Sequence, residues 1–356
     1  MAIVQQETEE KMKSIEQDGE VQDIQTRPVV ATLILVIGVI AIVLGMAASI
    51  SVGVRDIHLR TVFEAIFNFN PSNDLHQIIT SLRLPRALAG ALVGAGFAVA
   101  GAIMQGMTRN PLADPGLLGV NAGASFVIVI AFAFFPALPF EYLILFSFMG
   151  AGLGAGIVYG VTFLTPGGLS PIKLAIAGAV IGSLLTGLSQ AITLLFQITY
   201  DLTFWSAGGI STAEWFQVSI MTPWIIIGLI IAFFLARYIT ILSLGEDVAR
   251  GLGQRTGLIK VIGIIAVLIL TGAAVSTVGG IGFVGLVIPH IVRGIVGVDY
   301  RWIIPCSAVM GGFLVVLADI GAKTVNIPYE TPVGSIIALI GVPFFLYLAR
   351  KEWREM

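Results

Sequence analysis

"RLPRALAGALVGAGFAVAGAIMQGMTRNPLADPGLLGVNAGAS", residues 83–125, holds the reading that decides the fold. Two arginines flank Pro85, and then no residue from Ala87 to Thr108 carries a charge. At 1.5 Å per residue, such a run crosses a hydrocarbon core of about 30 Å as one helix. "TRNPLADPG" follows, with two prolines in a short polar stretch, and it reads as an irregular turn leading into another apolar run.

The same alternation extends in both directions. Of 356 residues, 57% are hydrophobic and only 11% charged, and mean hydropathy is +0.97. A soluble domain carries about a quarter charged residues, so this surface does not face water. Ten apolar segments stand out, at about 28–52, 85–107, 117–138, 141–164, 172–197, 219–240, 258–278, 281–297, 302–320 and 332–349. The fold class expected is all-α, a polytopic membrane protein of about ten transmembrane helices. The boundary between the seventh and eighth rests only on the glycines of "STVGGIGFVGLVIPH".

Residues 1–27 are polar and acidic and are expected to form a disordered or loosely helical cytoplasmic tail. They lack the basic start and immediate apolar core of a signal peptide. Residues 28–350 form the transmembrane domain, and 351–356 a short C-terminal tail. An even number of spans puts both termini on one side. With that side inside, only Arg55, Arg60, Arg83, Arg86 and Lys323 of the 19 basic residues fall outside. The positive-inside bias therefore makes both termini cytoplasmic, with residues 241–257 on the same side of a cell membrane. Many of the 42 glycines recur at four-residue spacing, as in Gly90/Gly94, Gly150/Gly154 and Gly152/Gly156, and mark helix-packing surfaces.

Several chemistries find no support. The single cysteine, Cys306, excludes a disulfide framework. There is no phosphate-cradling G-x-x-x-x-G-K-[ST] loop. The G-x-G-x-x-G at Gly280, Gly282 and Gly285 lies at a span without βαβ context and reads as helix packing. No catalytic or metal-ligating constellation stands out, and His290 reads as a packing residue beside Pro289. Nothing suggests nucleic acid as a partner. Asp319 and Glu330 fall near span ends, which leaves a proton relay poorly supported. Neutral replacement of either is expected to be tolerated.

Energy would then have to arrive through a cytoplasmic contact. The charged island "GEDVARGLGQR", 245–255, suits one. In a short helix Leu244, Val248 and Leu252 share a stripe. Glu246 and Arg250 pair at i, i+4, and Gly251 and Gly253 end the turn. A plain surface connector fits these features equally well.

Taken together, the chain resembles the permease subunits of iron–siderophore, haem and vitamin B12 ABC importers, the type II importer architecture. The resemblance covers about residues 30–350. It rests on 83–125, "LSLGEDVARGLG" (242–253), "GGIGFVGLVIPHIVR" (279–293) and "ETPVGSIIALIGVPFFLYLAR" (330–350). It implies a second permease, identical or paralogous, two ATPase subunits that carry ATP and Mg, and an extracytoplasmic substrate-binding protein. Within this chain it implies that Gly245, Glu246, Asp247, Arg250 and Gly253 belong to the ATPase-coupling helices. Arg83 and Arg86, aimed outward around Pro85, and Lys323 would dock the binding protein. Asn110 and Leu112, with Ser170 and Pro171, would line the cytoplasmic gate. The expected function is import of a ferric siderophore, with haem or cobalamin as alternatives and an ion-driven carrier as the competing class.

Overall fold

The computed structural model describes residues 26–53, 56–165, 171–198 and 209–355. Among these residues, ten longer helices occupy the expected positions: α1 Pro28–Ser51, α4 Leu84–Thr108, α5 Val120–Phe134, α6 Phe140–Leu164, α7 Pro171–Leu195, α8 Trp215–Ser243, α10 Thr256–Val278, α11 Val284–Val296, α12 Tyr300–Thr324 and α13 Val333–Glu355. Between them lie the short helices α2 Leu59–Phe67, α3 Asp74–Ile78 and α9 Glu246–Gly251. Among the described residues, seven helices are long and apolar enough to cross a membrane unaided; α5, α11 and the apolar part of α13 are shorter. The 13-residue α11 rises only about 20 Å. The glycine-marked break is real: Gly279 has a left-handed φ of 74°, Phe283 one of 68°, and helix resumes at Val284.

The centre is α4, whose face is buried on nearly every side, from Ala87 through Met107. It packs against α8, α10, α11 and α12. Such contact requires residues that bring backbones together, since lipid gives helices no hydrophobic drive to associate. A Cβ on Gly101 would stand 1.9 Å from the Gly285 carbonyl oxygen, and one on Gly94 would stand 2.2 Å from that of Gly311. The G-x-G-x-x-G glycine Gly285 is thus a packing residue. Gly150 and Gly154 press against Gly123 and Gly119 of the neighbouring segment. Gly152 and Gly156 do not follow suit: nothing lies within 4 Å of a Cβ placed on either. Spacing repeats around a helix, but only one face of α6 meets α5.

Two ends can be told apart. Arg27 N–H donates to Val296 O at 3.1 Å, and Tyr300 N–H to Thr240 Oγ1 at 2.9 Å. These bonds gather the start of α1, the ends of α8 and α11 and the start of α12 beside segment 241–257. At the other end, residues 56–83 build a cap that lies outside the ten apolar segments. Its Ile57, Val62, Ala65 and Ile79 form a second small core with Ile50 and Ala87. A π-helical turn, Ile79–Arg83, joins α3 to α4. There Leu84 N–H bonds to Ile79 O, and Pro85 has no N–H to offer Thr80 O. The indole of Trp215 donates to that carbonyl at 2.6 Å instead.

Candidate functional site

At the capped end, α1, α4, α12 and the segment before α13 place five polar side chains together. Asp319 lies on α12, one turn before Lys323, and both are buried, at 1% and 5% exposure. Asp319 accepts from Lys323 Nζ at 2.7 Å, Arg86 Nε at 2.8 Å and Ser49 Oγ at 2.6 Å. Lys323 also donates to Ser49 O at 2.9 Å. Arg86 turns its Nη1 to both oxygens of Glu330, at 2.8 and 2.9 Å. A charge in low dielectric is tolerated only when paired and hydrogen-bonded, and here two cations share one buried and one half-exposed carboxylate.

The expectation that Pro85 aims both arginines outward therefore needs correcting. Arg86 points inward and is only 7% exposed, while Arg83 Nη1 holds Ile50 O at 2.6 Å and Ser51 O at 3.3 Å at the end of α1. Asp319 is not a spare carboxylate. The pairing links residues 233 and 244 positions apart, which no local pattern reveals. The one legible signal was the i, i+4 spacing of Asp319 and Lys323 in the favourable order. Beside the cluster lies a cavity of about 230 Å³, lined in part by Arg86, Glu330, Ile210, Gly280 and Ile281.

At the opposite end, Gly245 adopts φ 140°, a conformation open to glycine, and turns the chain into α9. Glu246 opens that helix, where a carboxylate complements the N-terminal dipole. The expected Glu246–Arg250 pair forms at 2.8 Å. Glu246 also accepts from Lys260 Nζ at 2.7 Å and Thr256 Oγ1 at 3.3 Å. The Lys260 hydrogen bond, against opposing burial, holds the Glu246 carboxyl below the usual carboxylate range. Its charge thus clasps α9 to α10 and is not simply offered to solvent. Ala249 is the buried side of α9. The predicted stripe faces away: Leu244, Val248 and Leu252 are 49%, 49% and 69% exposed. Asp247 and Arg250 are exposed beside it, and Gly253 (φ 79°) closes the turn.

The loop after α4 is fixed by its own side chains. Arg109 caps the helix in the left-handed region (φ 52°). Asn110 Oδ1 accepts from Leu112 N at 2.9 Å, and Asp114 Oδ1 from Gly116 N at 2.7 Å. Asn110 and Leu112 are half-buried. Pro171 opens α7, and Ser170 lies outside the described residues. A polar tie unnoticed in the sequence crosses nearby: Gln105 donates to the Gly285 and Leu286 carbonyls at 3.2 Å, and Arg293 donates to Tyr300 Oη at 2.7 Å. His290 stacks edge-on against Phe344 at 5.8 Å between ring centres.

This architecture has known counterparts. The chain is 56% identical over 326 residues to the iron(3+)-hydroxamate import system permease protein FhuB of Bacillus subtilis (strain 168), covering 92% of this chain and 85% of that one. It is 38% identical over 315 residues to the ferric enterobactin transport system permease protein FepD of Escherichia coli (strain K12), covering 88% and 93%. A solved structure, an inward-facing conformation of a putative metal-chelate type ABC transporter, superposes with a TM-score of 0.77 at 26% identity, over 90% of this chain and 99% of that one. The model of the FecCD transport family matches residues 34–351, and the chain belongs to that family.

Proposed function

We propose that the chain is the permease subunit of an ATP-driven importer that carries ferric siderophores, hydroxamate chelates first among them, across the cell membrane. The observation that carries this reading is the 56% identity with the hydroxamate permease across nine-tenths of the chain. Haem and cobalamin remain the alternative cargoes. Both termini and segment 241–257 face the cytoplasm, where two ATPase subunits carry ATP and Mg. A second permease completes the pathway, and a binding protein delivers the chelate outside.

The exposed stripe of Leu244, Val248 and Leu252 is the ATPase contact, and Glu246 holds it in position. Asn110, Leu112, Ser170 and Pro171 border the cytoplasmic gate. Arg83, Arg86 and Lys323 serve the docking end. Because Glu330 occupies Arg86, a docking carboxylate would have to replace it.

Uptake of labelled ferric hydroxamate, ferric citrate and haem by cells lacking and regaining this permease tests the cargo. Hydroxamate uptake alone should follow the gene; uptake of haem alone would reject the siderophore reading. For coupling, Val248→Asp with Leu252→Asp should detach the ATPase subunits while leaving the thermal unfolding of the permease unchanged. Unaltered co-purification and transport would reduce the segment to a connector.

A further inference from the structure

On the surface of α12, between α1 and α8, the chain forms a groove of about 820 Å³ that is separate from both sites above. Its composition is graded along the axes of the helices that line it. The mouth lies at the 241–257 end, where Thr26, Asp299, Arg237 and Arg301 stand. Leu35 sits two turns into α1, roughly 10 Å deeper, and Pro305 about 7 Å into α12. Phe233 and Phe234, one turn deeper than Arg237, are 61% and 68% exposed. Trp302 lines the wall near the mouth. The depth of the groove is therefore apolar and the rim cationic.

The rim keeps a net positive charge. Asp299 already accepts from Arg301 N, Nε and Nη2 and from Thr240 Oγ1, and its side chain is 3% exposed. It is saturated by its own element and by α8. Arg301 remains 69% exposed. Arg237 is exposed, donating to Tyr238 Oη and lying 4.5 Å over the centre of that ring. Two guanidiniums thus face one carboxylate.

We propose that this groove holds an anionic phospholipid, its phosphate between Arg237 and Arg301 and an acyl chain along Phe233, Phe234 and Leu35. Basic pockets between helices at the cytoplasmic side suit such headgroups, and Arg offers a planar fork to phosphate. An acidic peptide, including residues 1–25 of this chain, would match the rim but not an aromatic lining at hydrocarbon depth.

The test uses the full chain reconstituted in nanodiscs of phosphatidylcholine with or without phosphatidylglycerol, and counts lipid retained after detergent exchange by native mass spectrometry. Phosphatidylglycerol should be retained over phosphatidylcholine. Arg237→Gln with Arg301→Gln should weaken that retention by about tenfold or more. Leu35→Trp, which leaves every charge in place and fills the groove, should also reduce it, and decides the matter if the double variant misfolds. Glycerol phosphate should not compete, and deletion of residues 1–25 should change nothing. Equal retention of the two lipids, or undiminished retention in the folded variants, would overturn the proposal. Competition by glycerol phosphate would overturn it in favour of a free-phosphate site, and a gain on deleting the tail would make the tail the occupant.

Discussion

The two ends of this molecule use the same motif, a carboxylate holding two cations, in opposite surroundings. At one end Asp319 joins Arg86 and Lys323 with all three buried. At the other, Glu246 joins Arg250 and Lys260, whose side chains are 63% and 35% exposed. Distances are alike, 2.7–2.8 Å in every pair. What differs is the cost of losing a partner. In water a freed lysine is simply rehydrated; inside the bundle it is stranded. The buried cluster therefore locks four chain segments together, whereas the exposed one orients a small helix.

The sharpest break in this comparison is Asp319→Asn. It leaves Arg86 and Lys323 buried with too little negative charge, a loss of about 3–5 kcal/mol. Thermal unfolding in detergent should show a large drop in midpoint, with expression falling alongside. A variant as stable as the parent would mean that water reaches the cluster. Glu330→Gln comes next. Its side chain is 40% exposed, so the loss should be on the order of 1 kcal/mol or less and should shrink as salt rises. An effect equal to that of Asp319→Asn would make the two carboxylates one dry unit.

Glu246→Gln is the smallest, within about 0.2–1 kcal/mol. Because the folded Glu246 carboxyl lies below its ordinary value, its contribution is present above the unfolded pKa of about 4.3 and is lost as pH falls through the folded one. Stability measured from neutral to acidic pH should thus show parent and variant converging at the acid end. Parallel curves would mean that Lys260 and Arg250 contribute nothing through charge.

The spans were legible because length and hydropathy are properties of contiguous residues. The break at 279–283 was readable from glycine alone, and the exposed stripe of α9 from a four-residue period. The unread parts depend on what meets what. No local rule joins Arg86 to Glu330, or tells Gly150, which meets a neighbour, from Gly152, which does not. The cap at 56–83 escaped because α2 and α3, at nine and five residues, are far shorter than the apolar runs that mark a span.

The short α11 has one more consequence. Since α10 climbs about 34 Å and α11 descends from only about 20 Å, residues 279–283 must cover the difference as non-helical backbone. Such backbone is tolerated at membrane depth only inside protein or beside water. Gly280 and Ile281 accordingly edge the 230 Å³ cavity next to Arg86 and Glu330, which has room for a handful of waters. A conformational cycle that collapses this space must expel those waters into bulk. An equilibrium between forms with this space open and collapsed would respond to osmotic stress, with solutes too large to enter the cavity favouring the collapsed form.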